Sequence, residues 1–177
     1  GQPLPHFINQ GLIEKTGGSN STAWIYAHFK QEFGATTDLQ KGQFYIGNSS
    51  PFQSEFDGTI QAANDTTFTV AGGNFDFLAS SIVNVASAQF FSTTGDVAGD
   101  WTTRSSLYAG QSNINFLATD PGIANLQLDN STLQFSPASG SETLSIPSLV
   151  INNSTLTGTD NFVVTGNTEF WRATLSG

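Results

Sequence analysis

This chain of 177 residues contains no cysteine and no methionine. The absence of cysteine excludes disulfides, thiolate nucleophiles and cysteine-based zinc sites. A domain without these cross-links has to be stabilised by apolar burial and backbone pairing. Long hydrophobic runs are also missing, since no apolar stretch approaches the ~20 residues of a membrane-spanning helix. We therefore expect no membrane span.

Positive charge is scarce as well. The five basic residues stand against 14 acidic ones, and the formal net charge is −9. Nucleic acid and anionic membrane surfaces are unlikely partners for such a chain because phosphate groups are bound by clustered Lys and Arg. The basic residues are scattered along the sequence: Lys15, Lys30, Lys41, Arg104 and Arg172.

What the chain does contain favours β-structure. Its 15 Phe and its many Thr and Val residues are typical of strands. Short apolar segments are separated by turn residues such as Asp57-Gly58 and Pro121-Gly122. The segment 23–33 has the one helix-compatible composition, but its alternating pattern favours a strand. We expect residues 1–6, which contain Pro3 and Pro5, to form an extended arm or linker, and residues 7–177 to form one β domain cut from a longer chain.

A repeated phrase narrows the architecture. LDNSTL at residues 128–133 returns as INNSTL at residues 151–156. Gly11, Gly34 and Gly58 begin similar runs at comparable intervals. A period of about 20–24 residues indicates stacked coils, so the sequence predicts an all-β parallel β-helix of about seven coils. The alternative is an antiparallel β-sandwich or jelly roll in which the repeats are coincidental.

Two longer phrases suggest a family. Residues 7–18 read FINQGLIEKTGG, and residues 156–166 read LTGTDNFVVTG, with Phe170 and Trp171 following. These phrases resemble those of repeat-rich, adhesin-like surface proteins. The resemblance covers about half the chain, at both ends. Asp160-Asn161 stands where that family usually has glycine, and residues 75–117 match poorly. The resemblance implies a right-handed β-solenoid in a secreted or surface-exposed protein with no catalytic residues.

The candidate sites begin with N-glycosylation. The Asn-X-Ser/Thr acceptor pattern marks exposed asparagines in a secreted protein. In a solenoid, Asn130 and Asn153 would lie on one face a coil apart because they occupy the same place in the repeat. The pattern occurs at Asn20, Asn48, Asn64, Asn130, Asn152 and Asn153.

Tryptophans and carboxylates are the candidate residues for an alternative function, the binding or cleavage of carbohydrate. Trp24, Trp101 and Trp171 are candidate carbohydrate contacts if they are exposed. Asp96 and Asp100 bracket a turn before Trp101, and a glycosidase would need two such carboxylates close together. The simpler interpretation of these acids is a solvated turn.

His6 and His28 stand about one coil apart. They are therefore candidates to stack in neighbouring coils, although no third metal ligand accompanies them. We expect no metal, no cofactor and no catalytic residue.

The sequence thus predicts a non-enzymatic, extracellular or cell-surface structural or adhesive module. We expect it to be glycosylated and to self-associate into an oligomer or filament. The alternative is a carbohydrate-binding or carbohydrate-active domain.

Overall fold

The computed structural model describes residues 5–47, 53–137 and 143–177, and every regular element in these ranges is a β-strand. The strands build a parallel β-solenoid of about eight turns with three faces. The chain passes along face 1, then face 2, then face 3, and then begins the next coil. No helix in the described ranges has the length and apolarity needed to cross a membrane.

Face 1 is a nine-stranded sheet with one strand from each coil. Its strands are β1 (His6–Asn9), β4 (His28–Gln31), β7 (Gln53–Phe56), β10 (Asn74–Phe77), β12 (Thr94–Val97), β14 (Asn113–Phe116), β17 (Thr132–Phe135), β20 (Thr155–Gly158) and β23 (Thr174–Ser176).

Faces 2 and 3 are joined in the middle of the molecule by two long strands that run along both, β11 (Ile82–Phe91) and β13 (Asp100–Gly110). Face 2 otherwise comprises β2 (Leu12–Lys15), β5 (Thr36–Leu39), β8 (Thr59–Ala62), β15 (Gly122–Ile123), β18 (Thr143–Ile146) and β21 (Asn161–Val164). Face 3 otherwise comprises β3 (Thr22–Tyr26), β6 (Gly42–Gly47), β9 (Thr66–Ala71), β16 (Asn125–Asp129), β19 (Ser148–Asn152) and β22 (Thr168–Trp171).

The strand register confirms the predicted parallel β-helix. Leu128 pairs with Ile151 and Thr132 pairs with Thr155, so the two copies of the repeated phrase lie directly one above the other. The pairings between neighbouring coils are parallel throughout the described ladders, which excludes the antiparallel sandwich or jelly roll. The expected strand interpretation of residues 23–33 is also confirmed, by β3 and β4.

One of the three glycines that begin the similar runs, Gly34, stands one residue before the position that Gly11 and Gly58 occupy in their coils. Leu12 pairs with Thr36, which in turn pairs with Thr59. The positions before these residues are Gly11, Ala35 and Gly58, and they are therefore equivalent. Gly34 stands one residue earlier, with a φ of 79°. It serves as a left-handed turn residue, a conformation that glycine adopts without steric cost.

The interior explains the abundance of Phe. Successive coils place aromatic rings above one another, with ring centroids 4.3 Å apart for Phe56 and Phe77 and 5.0 Å apart for Phe116 and Phe135. These side chains are almost fully buried. Rings stacked along the axis fill the coil interior and exclude water, which is the main favourable contribution to folding in a chain without disulfides.

The corner between faces 3 and 1 explains the repeated phrase. Asn130 and Asn153 both have a left-handed backbone, with φ near 50°, a conformation that asparagine tolerates better than most residues. The serine after each is buried. Ser154 Oγ accepts a hydrogen bond from the Ser131 amide at 2.9 Å, and Ser131 Oγ accepts one from the Ser112 amide at 3.0 Å. The phrase is therefore a structural corner whose serines tie each coil to the next.

The first two coils have a partly polar interior. Gln31 is fully buried, where its amide donates to the Thr59 carbonyl at 2.9 Å and its Oε1 accepts from Thr37 Oγ1 at 2.6 Å. Lys15 is also buried. Its ammonium donates to the carbonyls of Gly17 and Lys41 and to Ser21 Oγ, at 2.9–3.1 Å. The lysine of the FINQGLIEKTGG phrase thus closes a turn and joins it to the next coil.

Candidate functional surface

Two of the predicted glycosylation asparagines meet at the corner between faces 3 and 1. Asn153 Nδ2 donates to Asn130 Oδ1 at 2.6 Å, and both residues are exposed. They lie one coil apart, as the repeat predicted. Asn152 is exposed next to them and donates to Asp129 Oδ1 at 3.2 Å. Because the Asn130 and Asn153 side chains touch, a glycan on one would crowd the other.

The remaining glycosylation candidates are distributed along the chain. Asn20 and Asn64 lie in exposed turns, where an attached glycan would meet no protein atoms of the core. Asn48 lies outside the described residues. The candidate asparagines therefore form no single cluster.

The structure separates the three tryptophans. Trp101 is only 3% exposed and packs inside the coils against Phe77, Phe90 and Phe116. Its ring is inaccessible to a sugar, and its burial removes it from the candidate surface. Trp24 and Trp171 are 52% and 67% exposed, and they belong to the first and last coils of face 3.

Trp24 belongs to a cluster of exposed aromatic rings that was not predicted from the sequence. Its ring centroid lies 4.2 Å from that of Tyr45 in the next coil and 5.7 Å from that of Tyr26, and the planes of Trp24 and Tyr26 are within 8° of parallel. We call Trp24, Tyr26 and Tyr45 the aromatic platform. The alternation of residues 22–26 placed Trp24 and Tyr26 on one side, but only the strand register brings in Tyr45.

Three carboxylates form a row on the outer side of face 1. Glu55, Asp76 and Asp96 occupy equivalent positions in three successive coils. Partial burial raises the pKa of Asp76, and repulsion from Asp96 and Glu55 raises it further. Lys30 continues the row, with its Nζ 3.5 Å from the Glu55 carboxylate.

The candidate catalytic pair, Asp96 and Asp100, does not form a site in the structure. Asp96 belongs to β12 on face 1, whereas Asp100 begins β13 on face 2. Asp96 accepts a hydrogen bond from Asn115 at 3.3 Å, and the Trp101 ring points into the core, away from both acids. The two acids therefore do not share one strand face with an exposed tryptophan.

His6 and His28 do stack in neighbouring coils, as their spacing suggested. Their Nδ1 atoms lie 2.7 Å apart, so the N–H of one ring donates a hydrogen bond to the other ring. Partial burial lowers the pKa of His28, and the neighbouring His6 lowers it further. Within the described ranges, no group of three or more His, Cys, Asp or Glu side chains is placed to hold a metal ion.

Comparison with protein-family models, curated proteins and solved structures finds no match to this chain. Support for a function therefore comes from the surfaces of this chain.

Proposed function

We propose that this chain is a non-enzymatic structural and adhesive module of a secreted or surface-exposed, adhesin-like protein. The supporting observation is the continuous stack of about eight parallel coils, whose interior is closed by side chains. Such a rod holds its outer rows at a fixed spacing of about 4.8 Å per coil. Its useful property is a rigid, repetitive surface.

Self-association into a filament is the second part of this proposal. The last described coil exposes apolar side chains that face the interior in equivalent positions of earlier coils. Phe170 and Leu175 are 51% and 56% exposed, and they line an open groove with Phe162 and Val164. The first coil likewise exposes Phe7, which is 40% accessible.

The exposed strands at the two ends of the coil stack favour head-to-tail contact between copies of this chain. Among the described strands, β1 and β23 are the edge strands at the two ends of the same parallel sheet. An added strand would continue that sheet. A contact between different ends does not close on itself, so it produces an open filament. Glycans on Asn20, Asn64 or the Asn130–Asn153 corner would decorate the sides of the filament and leave its ends free.

The filament proposal is tested by sedimentation and negative-stain electron microscopy of the secreted protein over a range of concentrations, with intact-mass analysis for glycans. We expect rods that lengthen with concentration. Leu175→Asp should shorten them because it places a carboxylate in the end contact. Val163→Asp is the matched control, since Val163 is exposed in the same region on the outer side of β21. A monomer at the bare 18.8 kDa at all concentrations would contradict both self-association and glycosylation.

A further inference from the structure

The outer side of face 3 differs chemically from the other two faces. In its first five coils the outward rows carry aromatic, hydroxyl, amide and small residues but no charge. Face 1 carries the row from Lys30 to Asp96, and face 2 carries Glu14 and Asp38. The outward residues of face 3 in these coils are Thr22, Trp24, Tyr26, Gln43, Tyr45, Gly47, Thr67, Thr69, Ala71, Ser87, Gln89, Phe91, Ser106, Tyr108 and Gly110.

Within these five coils, the exposed large aromatic side chains of face 3 belong to the aromatic platform. Trp24 is 52% exposed and Tyr26 is 65% exposed, although each lies within 6 Å of the Tyr45 ring. Gly47 makes this packing possible. A Cβ at that position would stand 2.7 Å from the Tyr45 ring and 2.8 Å from the Tyr26 ring. The absence of a side chain at Gly47 therefore lets two tyrosine rings lie over the strand.

Neutral hydrogen-bonding groups border the platform. Thr22 Oγ1 donates to Gln43 Oε1 at 3.2 Å, which leaves the Gln43 amide group as a donor at the edge of the rings. On the other side, Thr69 and Gln89 continue the row that begins with Trp24 and Tyr45. Flat aromatic faces with a few amide and hydroxyl groups beside them match a ligand that has both an apolar face and many hydroxyls.

From this geometry we infer that the aromatic platform, Trp24, Tyr26 and Tyr45, binds a neutral glycan. The C–H face of a pyranose ring stacks on the exposed Trp24 ring, and its hydroxyls bond to Gln43 and Thr22. The net charge of −9 disfavours an anionic polysaccharide, and the uncharged surroundings leave no ion pair for a charged peptide. This inference rests on the proposed adhesive role and names the ligand class that the role requires.

A second aromatic pair extends the surface along the same face. The ring centroids of Phe91 and Tyr108 lie 5.1 Å apart, and the Tyr108 ring lies over Gly110 as Tyr45 lies over Gly47. Tyr108 is three strands from Tyr45 in the same row, which corresponds to roughly 14 Å. An oligosaccharide of several units can reach both places, so binding should strengthen with chain length.

The test uses the three tryptophan indole N–H signals in a ¹H–¹⁵N NMR titration. The probes are cellohexaose, chitohexaose and laminarihexaose, each up to about 10 mM, a range that detects millimolar affinities. We expect at least one of them to shift the Trp24 signal and to leave those of buried Trp101 and distant Trp171 in place. Glucose should bind more weakly than the hexasaccharide that shifts Trp24.

Two tryptophan variants provide a matched pair. Trp24→Ala should weaken binding at least tenfold, whereas Trp171→Ala, which removes the other exposed tryptophan, should leave it unchanged. Because Trp24 points outward, both variants should melt within a few degrees of the native protein. Tyr26→Ala offers a second platform variant, for which we also expect weakened binding.

Three outcomes would overturn the inference. The first is no Trp24 shift with any probe, and the second is equal loss of binding in the two tryptophan variants. The third is a Trp24 shift that depends on protein concentration without sugar, which would mean that a second copy covers the platform. Each is distinguishable from failure of the filament proposal, because rod length is measured separately and Leu175→Asp leaves the platform intact.

Discussion

Buried hydroxyls in this protein differ in whether they have a hydrogen-bond partner. Ser131 Oγ accepts from the Ser112 amide at 3.0 Å, and its one proton is shared between the carbonyls of Ala109 and Asp129, at 3.0 and 2.9 Å. Ser54 Oγ, on face 1, is also buried, and it has no hydrogen-bond partner among the described residues. A buried polar group stabilises a fold only when it is bonded.

Ser131→Ala should lower the free energy of unfolding by about 1–3 kcal/mol, because it leaves the buried Ser112 amide without its acceptor. Chemical denaturation measures this change. Ser54→Ala is expected to leave stability unchanged or to raise it by about 1 kcal/mol, because it removes an unbonded hydroxyl. Ser145→Ala, on the exposed side of β18, is the neutral control. Equal effects of Ser131→Ala and Ser145→Ala would contradict the role of the serine corner.

The acidic row on face 1 predicts a pH-dependent stability. The raised pKa of Asp76 means that the folded state holds a proton more tightly than the unfolded state does. Stability should therefore fall as pH rises from the ordinary aspartate pKa through the raised one, and then level off. Asp76→Asn removes this loss. It should stabilise the protein at pH 7, by about 0.2–1 kcal/mol for a cross-strand charge pair, and should have little effect at pH 3.

Thermal melts at pH 3 and pH 7 check this prediction. Asp100→Asn is a suitable control, because Asp100 is exposed on face 2 and outside the row. An Asp76→Asn variant that is destabilised at pH 7 would show that the carboxylate is needed, for example by its hydrogen bond with Gln53.

At the scale of elements, β1 depends on a titratable contact. Among the described strands it pairs with β4 alone, and its first residue, His6, bonds to His28. The groups around this pair are Lys30 on β4 and Glu55 on β7. When both rings are protonated, neither Nδ1 can accept and the two cations repel each other.

We expect β1 to loosen in acid. The lowered pKa of His28 means that the neutral ring favours the folded state. This contribution is present above the ordinary histidine pKa and is lost as pH falls through the lowered value. Hydrogen exchange of the β1 and β4 amides should therefore be faster at pH 5 than at pH 7.5, after correction for intrinsic rates. His6→Gln should reduce the pH dependence, because it removes the repulsion from His6 and leaves the effect of His28 burial. An unchanged dependence in that variant would assign it to other groups.

At the scale of the whole molecule, the strand ladders join each coil to the coils next to it, so stability should vary along the axis. The long strands β11 and β13 span two faces and are bonded on both sides, whereas β1, β22 and β23 lie at the ends. We expect hydrogen-exchange protection to be highest in β11 and β13 and to decrease toward both ends. Uniform protection across all coils would instead indicate one cooperative unit.

Much of the architecture was predictable because a solenoid repeats its sequence pattern where it repeats its structure. The spacing of the two NST phrases predicted parallel coils and placed Asn130 next to Asn153. The middle of the chain was harder to predict, because β11 and β13 merge two faces into one long strand and remove the turn residues between them. The expected stack of about seven coils agrees with the about eight turns of the structure.

By itself, the sequence determined the fold class, the coil period and the polar, acidic composition, since these depend on which residue types recur and how far apart. Only the tertiary structure decided which side chains share a surface. It buried Trp101, joined Tyr45 to Trp24 and Tyr26, and turned the Asn-Ser-Thr phrase into a bonded corner. The physical reason is register: neighbours across coils lie 18 to 25 residues apart, an interval that varies along the stack. Pairing is therefore settled by packing along the whole stack.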